Sequence, residues 1–176
     1  MKKYLLMIAL IIMAVTVSGC TSTSTISTKN ITAGGMSFEY PDTWNASSQL
    51  GENVTRIVVA NQEFISSNGT RGSVVLIMKV ANTSTSNMTQ ARQELITQAQ
   101  QSGQNVTSKT VTIAGLTASD ISYIGNDTQG KKAYARLIDF EKNNNLYMLL
   151  FATGGGADVN SAQSSFDVIV KSFKVE

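Results

Sequence analysis

The residues Met-Ser-Phe-Glu-Tyr-Pro-Asp-Thr-Trp at positions 36–44 carry a strand pattern that ends at a proline. Met36, Phe38 and Tyr40 alternate with polar residues, so a strand here buries one face and leaves the other in water. Pro41 stops the strand, because proline has no backbone N–H to donate to a neighbouring strand. This segment therefore predicts the first strand of the folded domain.

Further strand patterns follow, joined mostly by short turns. Two of them, 73–80 and 146–152, are apolar on both faces, which predicts buried strands at the centre of a sheet. Short hairpin connections favour a largely antiparallel sheet. The predicted strands after the first are 54–60, 73–80, 106–114, 117–124, 131–141 and 146–152.

Two stretches have helical rather than strand periodicity. One spans 88–101, with Asn87 as the predicted N-cap and Gly103 near the predicted end. The other follows Asp158, a good N-cap, and places an apolar stripe along the C-terminal residues. The predicted class is α+β: an α/β/α sandwich with a central, largely antiparallel sheet of about six to seven strands and two main helices.

The first 20 residues have the pattern of an export signal. Lys2 and Lys3 give a positive start, and the stretch 4–17 is uncharged and mostly apolar. This stretch is shorter than the roughly 18 to 20 residues that a helix needs to span hydrocarbon, which favours a cleaved signal.

The end of that segment, Val-Ser-Gly-Cys at 17–20, resembles a lipobox, where a prokaryotic lipoprotein is cleaved and its cysteine acylated. We therefore predict a signal peptide over 1–19, a lipid on Cys20, a Ser/Thr-rich tether over 20–33 and a domain over 34–176. The predicted location is the outer face of the cytoplasmic membrane. The alternative is a plain secretory signal with a chance cysteine.

Composition excludes several kinds of chemistry. The sequence has no histidine and one cysteine, the predicted lipid site, so His-based triads, zinc sites and thiol catalysis lack their residues. Gly-x-Ser-x-Gly and P-loop motifs are absent. Asp139 and Glu141 could form an acid–base pair on one strand face, but solvated carboxylates near a turn are the preferred interpretation. We predict no enzyme activity, no cofactor and no metal site.

Charge argues against nucleic acid as a partner. Lys2 and Lys3 lie in the predicted signal, so 12 of the 14 basic residues remain, against 12 acidic residues. No basic run occurs along the chain, and electrostatic binding to phosphate backbones needs one.

One motif is enriched: Asn-x-Ser/Thr, the acceptor of N-linked glycans, occurs at eight of the 13 asparagines. Chance predicts about three from the Ser and Thr content. Asn87 is set aside because it is predicted to cap a helix. With the lipobox, the enrichment favours an archaeal cell surface, the alternative being a bacterial lipoprotein rich in Asn and Thr. The candidate glycosylation sites are Asn30, Asn45, Asn53, Asn68, Asn82, Asn105 and Asn126.

Two stretches together resemble a known family. The strand and Tyr-Pro-x-x-Trp turn ending at Trp44 are similar to the opening of PsbP-like (PsbP/DcrB-type) domains, and 166–174 is similar to their last helix. The order of strands and the mid-chain helix also fit, so the resemblance covers roughly 34–176. It implies an α/β/α sandwich, export, frequent lipid anchoring in prokaryotes and a non-catalytic role as an extrinsic subunit or assembly factor of a membrane complex.

The sequence thus predicts a lipid-anchored extracytoplasmic domain that binds a protein partner and supports a membrane or cell-surface complex. The alternative is a surface lipoprotein that binds a small ligand or a glycan. That alternative predicts a concave apolar pocket in which Trp44 or a tyrosine is exposed.

Overall fold

The computed structural model describes residues 26–101, 104–126 and 130–176 of the chain. The predicted signal peptide, Cys20, the predicted tether up to Thr25 and Gly103 lie outside these residues. Within helices, the description also leaves out the side chains of Asn87, Ala91 and Gln98.

In the part of the chain that the structure describes, seven antiparallel strands form the main sheet, and three more form a small sheet. The elements in chain order are β1 (Thr28–Ala33), β2 (Met36–Pro41), β3 (Asn45–Leu50), β4 (Val54–Ala60), α1 (Gln62–Ser66), β5 (Gly72–Ala81), a 3-10 turn (Thr85–Met88), α2 (Thr89–Gln101), β6 (Asn105–Ile113), β7 (Leu116–Asn126), β8 (Lys132–Lys142), β9 (Asn145–Gly154), α3 (Val159–Ser172) and β10 (Lys174–Val175).

The main sheet has the order β3-β4-β5-β9-β8-β7-β6, so β5 and β9 lie at its centre. Every neighbouring pair is antiparallel. This confirms the predicted antiparallel sheet and the central position of the two most apolar strands. The small sheet has the order β1-β2-β10 and joins the start of the domain to its last residues.

One face of the main sheet, named here the closed face, is buried beneath α3 and the small sheet. Phe166 of α3 is fully buried, and its ring lies 4.9 Å from that of Phe151 and 6.1 Å from that of Trp44. Asp158 caps α3 as predicted, accepting a hydrogen bond from the Asn160 N–H at 3.0 Å. The main residues of the closed face are Ile57, Val59, Val75, Ile77, Ile138, Phe140, Tyr147, Leu149 and Phe151.

The opposite face is covered only in part by the described residues. The helix α2 contacts β6 at one edge of the sheet, while β4, β5 and β9 carry half-buried or exposed apolar side chains. The layer on this side is therefore incomplete, and the prediction that 73–80 and 146–152 are buried on both faces holds only in part: Leu146 is buried here, Leu76 is half-buried and Leu150 is exposed. We name as the open face the residues Val58, Val74, Leu76, Met78, Met148 and Leu150.

The predicted boundary between tether and domain is too late in the chain. The strand β1 occupies Thr28–Ala33, within the range assigned to the tether, and pairs with β2 along its whole length. Its residues are mostly polar and exposed, so the strand forms through backbone pairing rather than through apolar burial. The rest of that range, up to Thr25, lies outside the described residues.

Other short elements were also missed because their sequences are polar. The strand β3 reads Asn-Ala-Ser-Ser-Gln-Leu and is almost wholly exposed at the edge of the main sheet. The helix α1 falls in a predicted loop, where the Asn61 side chain caps it by accepting from the Phe64 N–H at 2.9 Å. The prediction of Asn87 as an N-cap is wrong, because a 3-10 turn leads directly into α2 at Thr89.

Candidate functional site

Arg136 lies between the buried residues Tyr134 and Ile138 on the same face of β8, and it binds two carboxylates. Its Nε and Nη2 each donate to an oxygen of Asp120 at 2.9 Å, and its Nη1 donates to Asp167 of α3 at 3.2 Å. The side chains of Arg136 and Asp120 are 12% and 1% exposed. Lys109 lies 3.7 Å from the same Asp120 carboxylate. Two cations and two carboxylates therefore meet at this point, and their charges cancel.

Burial and ion pairing shift the pKa values of these groups in opposite directions. Burial would lower the pKa of Arg136, but the hydrogen bonds and negative charge of Asp120 outweigh it and raise that pKa. Burial also raises the pKa of Tyr134, which the charge of Arg136 opposes. Tyr134 thus keeps its proton at neutral pH and presents a neutral hydroxyl beside a fixed ion pair.

A cleft of about 410 Å³ opens beside Arg136, between the end strands of the main sheet and α3. Most of its wall is hydroxyl, amide or charged side chain, with Ile124 as an exposed apolar patch on one side. Its principal lining residues are Asn105, Thr107, Ser122, Ile124, Tyr134 and Gln163, together with the charged residues Lys109, Asp120, Arg136 and Asp167.

Leucine and valine side chains form a continuous row across the open face. Val58 pairs with Leu76, Leu76 with Leu150, and Leu150 with Leu137 on four adjacent strands. Leu150 is 41% exposed and Val58 37% exposed, whereas Ile121, the next residue in the row, is buried at 5%. The row therefore passes from the covered part of this face onto a part that no described element covers.

An apolar groove of about 460 Å³ continues the open face toward α1. Val58 and Ala60 of β4 form its floor, and Phe64 and Ile65 of α1 line it as well. Ile65 is 47% exposed. The groove and the row share Val58, so together they form one apolar surface rather than isolated exposed residues.

The predicted pair of Asp139 and Glu141 does not form an acid–base site. Asp139 is fully buried and pairs with Arg92 of α2, while Glu141 is exposed and accepts from the Thr85 N–H at 3.1 Å. The expectation that both carboxylates are solvated is wrong for Asp139. Burial raises its pKa, and Arg92 and Ser119 oppose the rise. The two carboxylates fasten α2 and the turn before it to the sheet.

The seven candidate glycosylation sites are all exposed. Asn45 and Asn105 begin strands, Asn126 ends one, and Asn30 lies within the edge strand β1. The others, Asn53, Asn68 and Asn82, lie in connections between elements. Exposure is a condition for carrying a glycan, and glycosylation at these asparagines stays a prediction.

Trp44 does not line a ligand pocket. It is 7% exposed and makes an edge-to-face contact with Phe166 at 6.1 Å, so it belongs to the core. The cleft beside Arg136 is polar rather than apolar, and of the two tyrosines that line it, Tyr134 is only 5% exposed and Tyr123 is half-buried. The predicted apolar pocket around Trp44 or an exposed tyrosine is therefore wrong: the cleft with tyrosines is polar, and the apolar groove beside α1 is lined by neither tryptophan nor tyrosine.

Metal ligands and membrane spans were sought in the described ranges. There, no three acidic, histidine or cysteine side chains are close enough to share a metal ion. The helices in the described part of the chain are too short or too polar to cross a bilayer. Cys20, the predicted lipid site, is outside these ranges.

Sequence reasoning missed the charged residues of the cleft. Arg136 falls in the inward set of its strand together with Ile138 and Phe140, and a charge in such a set is a signal for a buried ion pair. The sequence around its partner Asp120 indicates a buried ion pair less clearly. The next residue on β7 is Ile121, which suggests that the face opposite Asp120 is the buried one.

The fold and these sites together define an antiparallel α+β domain with one apolar surface and one polar cleft. The chain belongs to the PsbP-like protein family, whose model matches residues 10–175. Members of this family are generally non-catalytic accessory proteins. No curated protein sequence matches the chain.

Solved structures support the same fold at low sequence identity. Cyanobacterial PsbP (CyanoP) from Synechocystis is 14% identical with a TM-score of 0.51, covering 91% of this chain and 99% of its own. LpqN of Mycobacterium tuberculosis, involved in cell envelope biogenesis, is 12% identical with a TM-score of 0.51, covering 85% and 90%. A Bacteroides thetaiotaomicron protein is 15% identical with a TM-score of 0.52, covering 84% of this chain and 48% of its own.

Proposed function

We propose that this protein is a non-enzymatic accessory domain, held at the outer face of the cytoplasmic membrane by a lipid on Cys20, which binds a protein subunit of a membrane or cell-surface complex through the open face. The observation that carries the proposal is the apolar row from Val58 through Leu76 to Leu150. Membership of a family of accessory proteins supports the same role.

The composition of β5 and β9 supports a protein as the occupant. Both strands carry apolar side chains toward the open face, although the described chain covers them only in part. A flat apolar surface that crosses several strands fits another protein surface better than a small molecule, which needs a concave site. A partner that covered Leu150 and Leu76 would complete the third layer of the sandwich.

The predicted anchor supports a partner that is itself at the membrane. The Ser27 carbonyl accepts from the Asp42 N–H at 2.9 Å, which fixes the chain just before β1. An extended chain from Cys20 to Ser27 reaches at most about 25 Å. A domain held so closely lies within reach of the extracytoplasmic parts of membrane proteins. The sequon enrichment supports an archaeal cell surface and glycosylation of the exposed asparagines.

Matched leucine variants test the open face. Leu150→Glu introduces a charge in the centre of the row, and Leu50→Glu introduces the same charge at a leucine that is 66% exposed on the edge strand β3. Affinity purification from native membranes is expected to lose a stoichiometric partner with Leu150→Glu and to keep it with Leu50→Glu. Equal recovery with both variants contradicts the proposal, provided that their unfolding midpoints match.

Cys20→Ser tests the anchor separately. Without the thiol there is no acceptor for the lipid. A domain that has lost its signal peptide and carries no lipid is not held at the membrane. We expect the variant to be misprocessed or released into the medium in fractionation. Normal processing and retention in the membrane fraction contradict the lipoprotein assignment, whatever the outcome of the leucine variants.

The cleft beside Arg136 supports a second function, the binding of a small polar ligand. The site is concave, includes two nearly buried charged groups and opens to solvent between β6, β7, β8 and α3. The two functions use opposite faces of the sheet and are compatible in one molecule.

A further inference from the structure

The cleft beside Arg136 has a lining that selects one class of ligand. We propose that it binds a neutral saccharide, through hydroxyl groups that hydrogen-bond to its amide, hydroxyl and charged side chains. This inference deepens the second function above and depends on the cleft, not on the open face.

The charges of the cleft argue against charged ligands and against apolar ones. Arg136 and Lys109 are offset by Asp120 and Asp167, so the cleft offers no net charge to a phosphate, a nucleotide or a cation. An apolar ligand would have to displace water from this ion network without replacing its hydrogen bonds, which is unfavourable. A neutral molecule that carries many hydroxyl groups needs no net charge in the cleft and can replace the hydrogen bonds of the displaced water.

The polar groups are also held in place, as a specific site requires. Three hydrogen bonds fix the Arg136 guanidinium, and among the described residues they leave two of its five N–H groups for a ligand. Asp167 is half exposed and lines the same cleft, where its carboxylate can accept a hydrogen bond from a ligand hydroxyl. Planar side chains with paired donors or acceptors match the adjacent hydroxyls of a sugar ring, and Ile124 offers an apolar patch for its C–H face.

The saccharide could be a glycan attached to Asn105, one of the candidate glycosylation sites. It is the first residue of the edge strand β6, it is exposed, and it lines the cleft. The residues Asn105, Val106 and Thr107 form one of the sequons, and Thr107 lines the same cleft. A glycan on Asn105 would be tethered at the rim, where its effective concentration is high. The saccharide is therefore either the chain's own glycan or one from another molecule.

Titration of unglycosylated protein tests the chemistry. Protein made in a host without N-glycosylation is titrated with N-acetylglucosamine, glucose and mannose while amide resonances are followed by NMR. We expect shifts confined to the cleft residues of β6, β7 and β8, with Kd values of about 1–10 mM for at least one sugar. Inorganic phosphate is expected to produce no comparable shifts.

Paired alanine variants show whether the cleft is the site. Ser122→Ala removes a hydroxyl from the cleft, and Ser108→Ala removes one from the opposite face of the same sheet edge. We expect Ser122→Ala to weaken sugar binding at least ~fivefold and Ser108→Ala to leave it unchanged. No saturable shift with any sugar up to about 100 mM, equal effects of the two variants, or tighter binding of phosphate overturns the proposal.

Wild-type protein with its native glycans and the same protein without N-glycans then distinguish the two sources. If the attached glycan occupies the cleft, free sugar binds only to the protein without N-glycans. If the ligand comes from another molecule, free sugar binds to both forms. Partner recovery through Leu150 is independent of these titrations, so a failure of the saccharide site and a failure of the proposed partner interface are told apart.

Discussion

The two faces of the main sheet are built from similar residues but have different surroundings. Phe151 and Leu150 are neighbours on β9, yet the first is fully buried beneath α3 and the second is 41% exposed. The closed face buries its apolar residues within the chain and so contributes stability. The open face leaves comparable residues partly in water, which is unfavourable in isolation and is relieved when a partner covers them. Burial, rather than residue type, distinguishes the closed face from the open face that we propose as a partner interface.

Truncation of the closed face is expected to have the largest effect. Phe166→Ala removes a ring that contacts Phe151, Tyr134 and Trp44, and the free energy of unfolding is expected to fall by about 3–5 kcal/mol. Leu150→Ala on the open face is expected to cost about 1 kcal/mol or less, since much of that side chain is already hydrated. Urea unfolding of both variants gives the comparison, and similar losses would contradict the division between the faces.

Substitutions at the charged edge of the closed face are expected to have the second-largest effect on the free energy of unfolding. Arg136→Met keeps the apolar stem but leaves Asp120 buried without its main partner, so the free energy of unfolding should fall by about 3 kcal/mol. Lys109→Met removes a cation that is 57% exposed and lies 3.7 Å from the same carboxylate. The loss for this control is expected to be about 0.5 kcal/mol or less in the same urea assay. Equal losses would show that Asp120 does not depend on Arg136.

The buried carboxylate of Asp139, which holds α2 on the sheet through Arg92, is expected to make the stability weakly dependent on pH. Burial raises the pKa of Asp139 from its usual 3.8, so the folded protein binds this proton more tightly than the unfolded chain does. The contribution of Asp139 to stability is therefore greatest below that usual value and is lost as pH rises through the raised pKa. Asp139→Asn removes this titration.

Urea midpoints of the wild type and Asp139→Asn, measured from about pH 3.5 to 7, check the sign. The stability of the wild type relative to the variant is expected to fall as pH rises. A difference that grew with pH would mean that pairing with Arg92 outweighs the desolvation of Asp139.

The apolar strands could be predicted from the sequence, whereas the polar ones and the sites could not. The strands β5 and β9 stand out because apolar residues occupy both of their faces, but that pattern does not say whether the second covering layer belongs to the same chain. The strands β1 and β3 are polar and depend on backbone pairing with a neighbour, which leaves no periodic signal. The pairing of Arg136 with Asp120 depends on strand register, and the fastening of α2 by Arg92 and Asp139 depends on how a helix packs.

The most direct test of the open face as a partner interface is site-specific photo-crosslinking in native membranes. A photoreactive residue at position 150 is expected to give one dominant crosslink to a different protein of a membrane complex, and a residue at position 50 is expected to give none. The Val58→Glu substitution should suppress the crosslink from position 150. Crosslinks from position 150 only to lipid or to a second copy of the chain, or equal products from positions 150 and 50, would contradict the proposal.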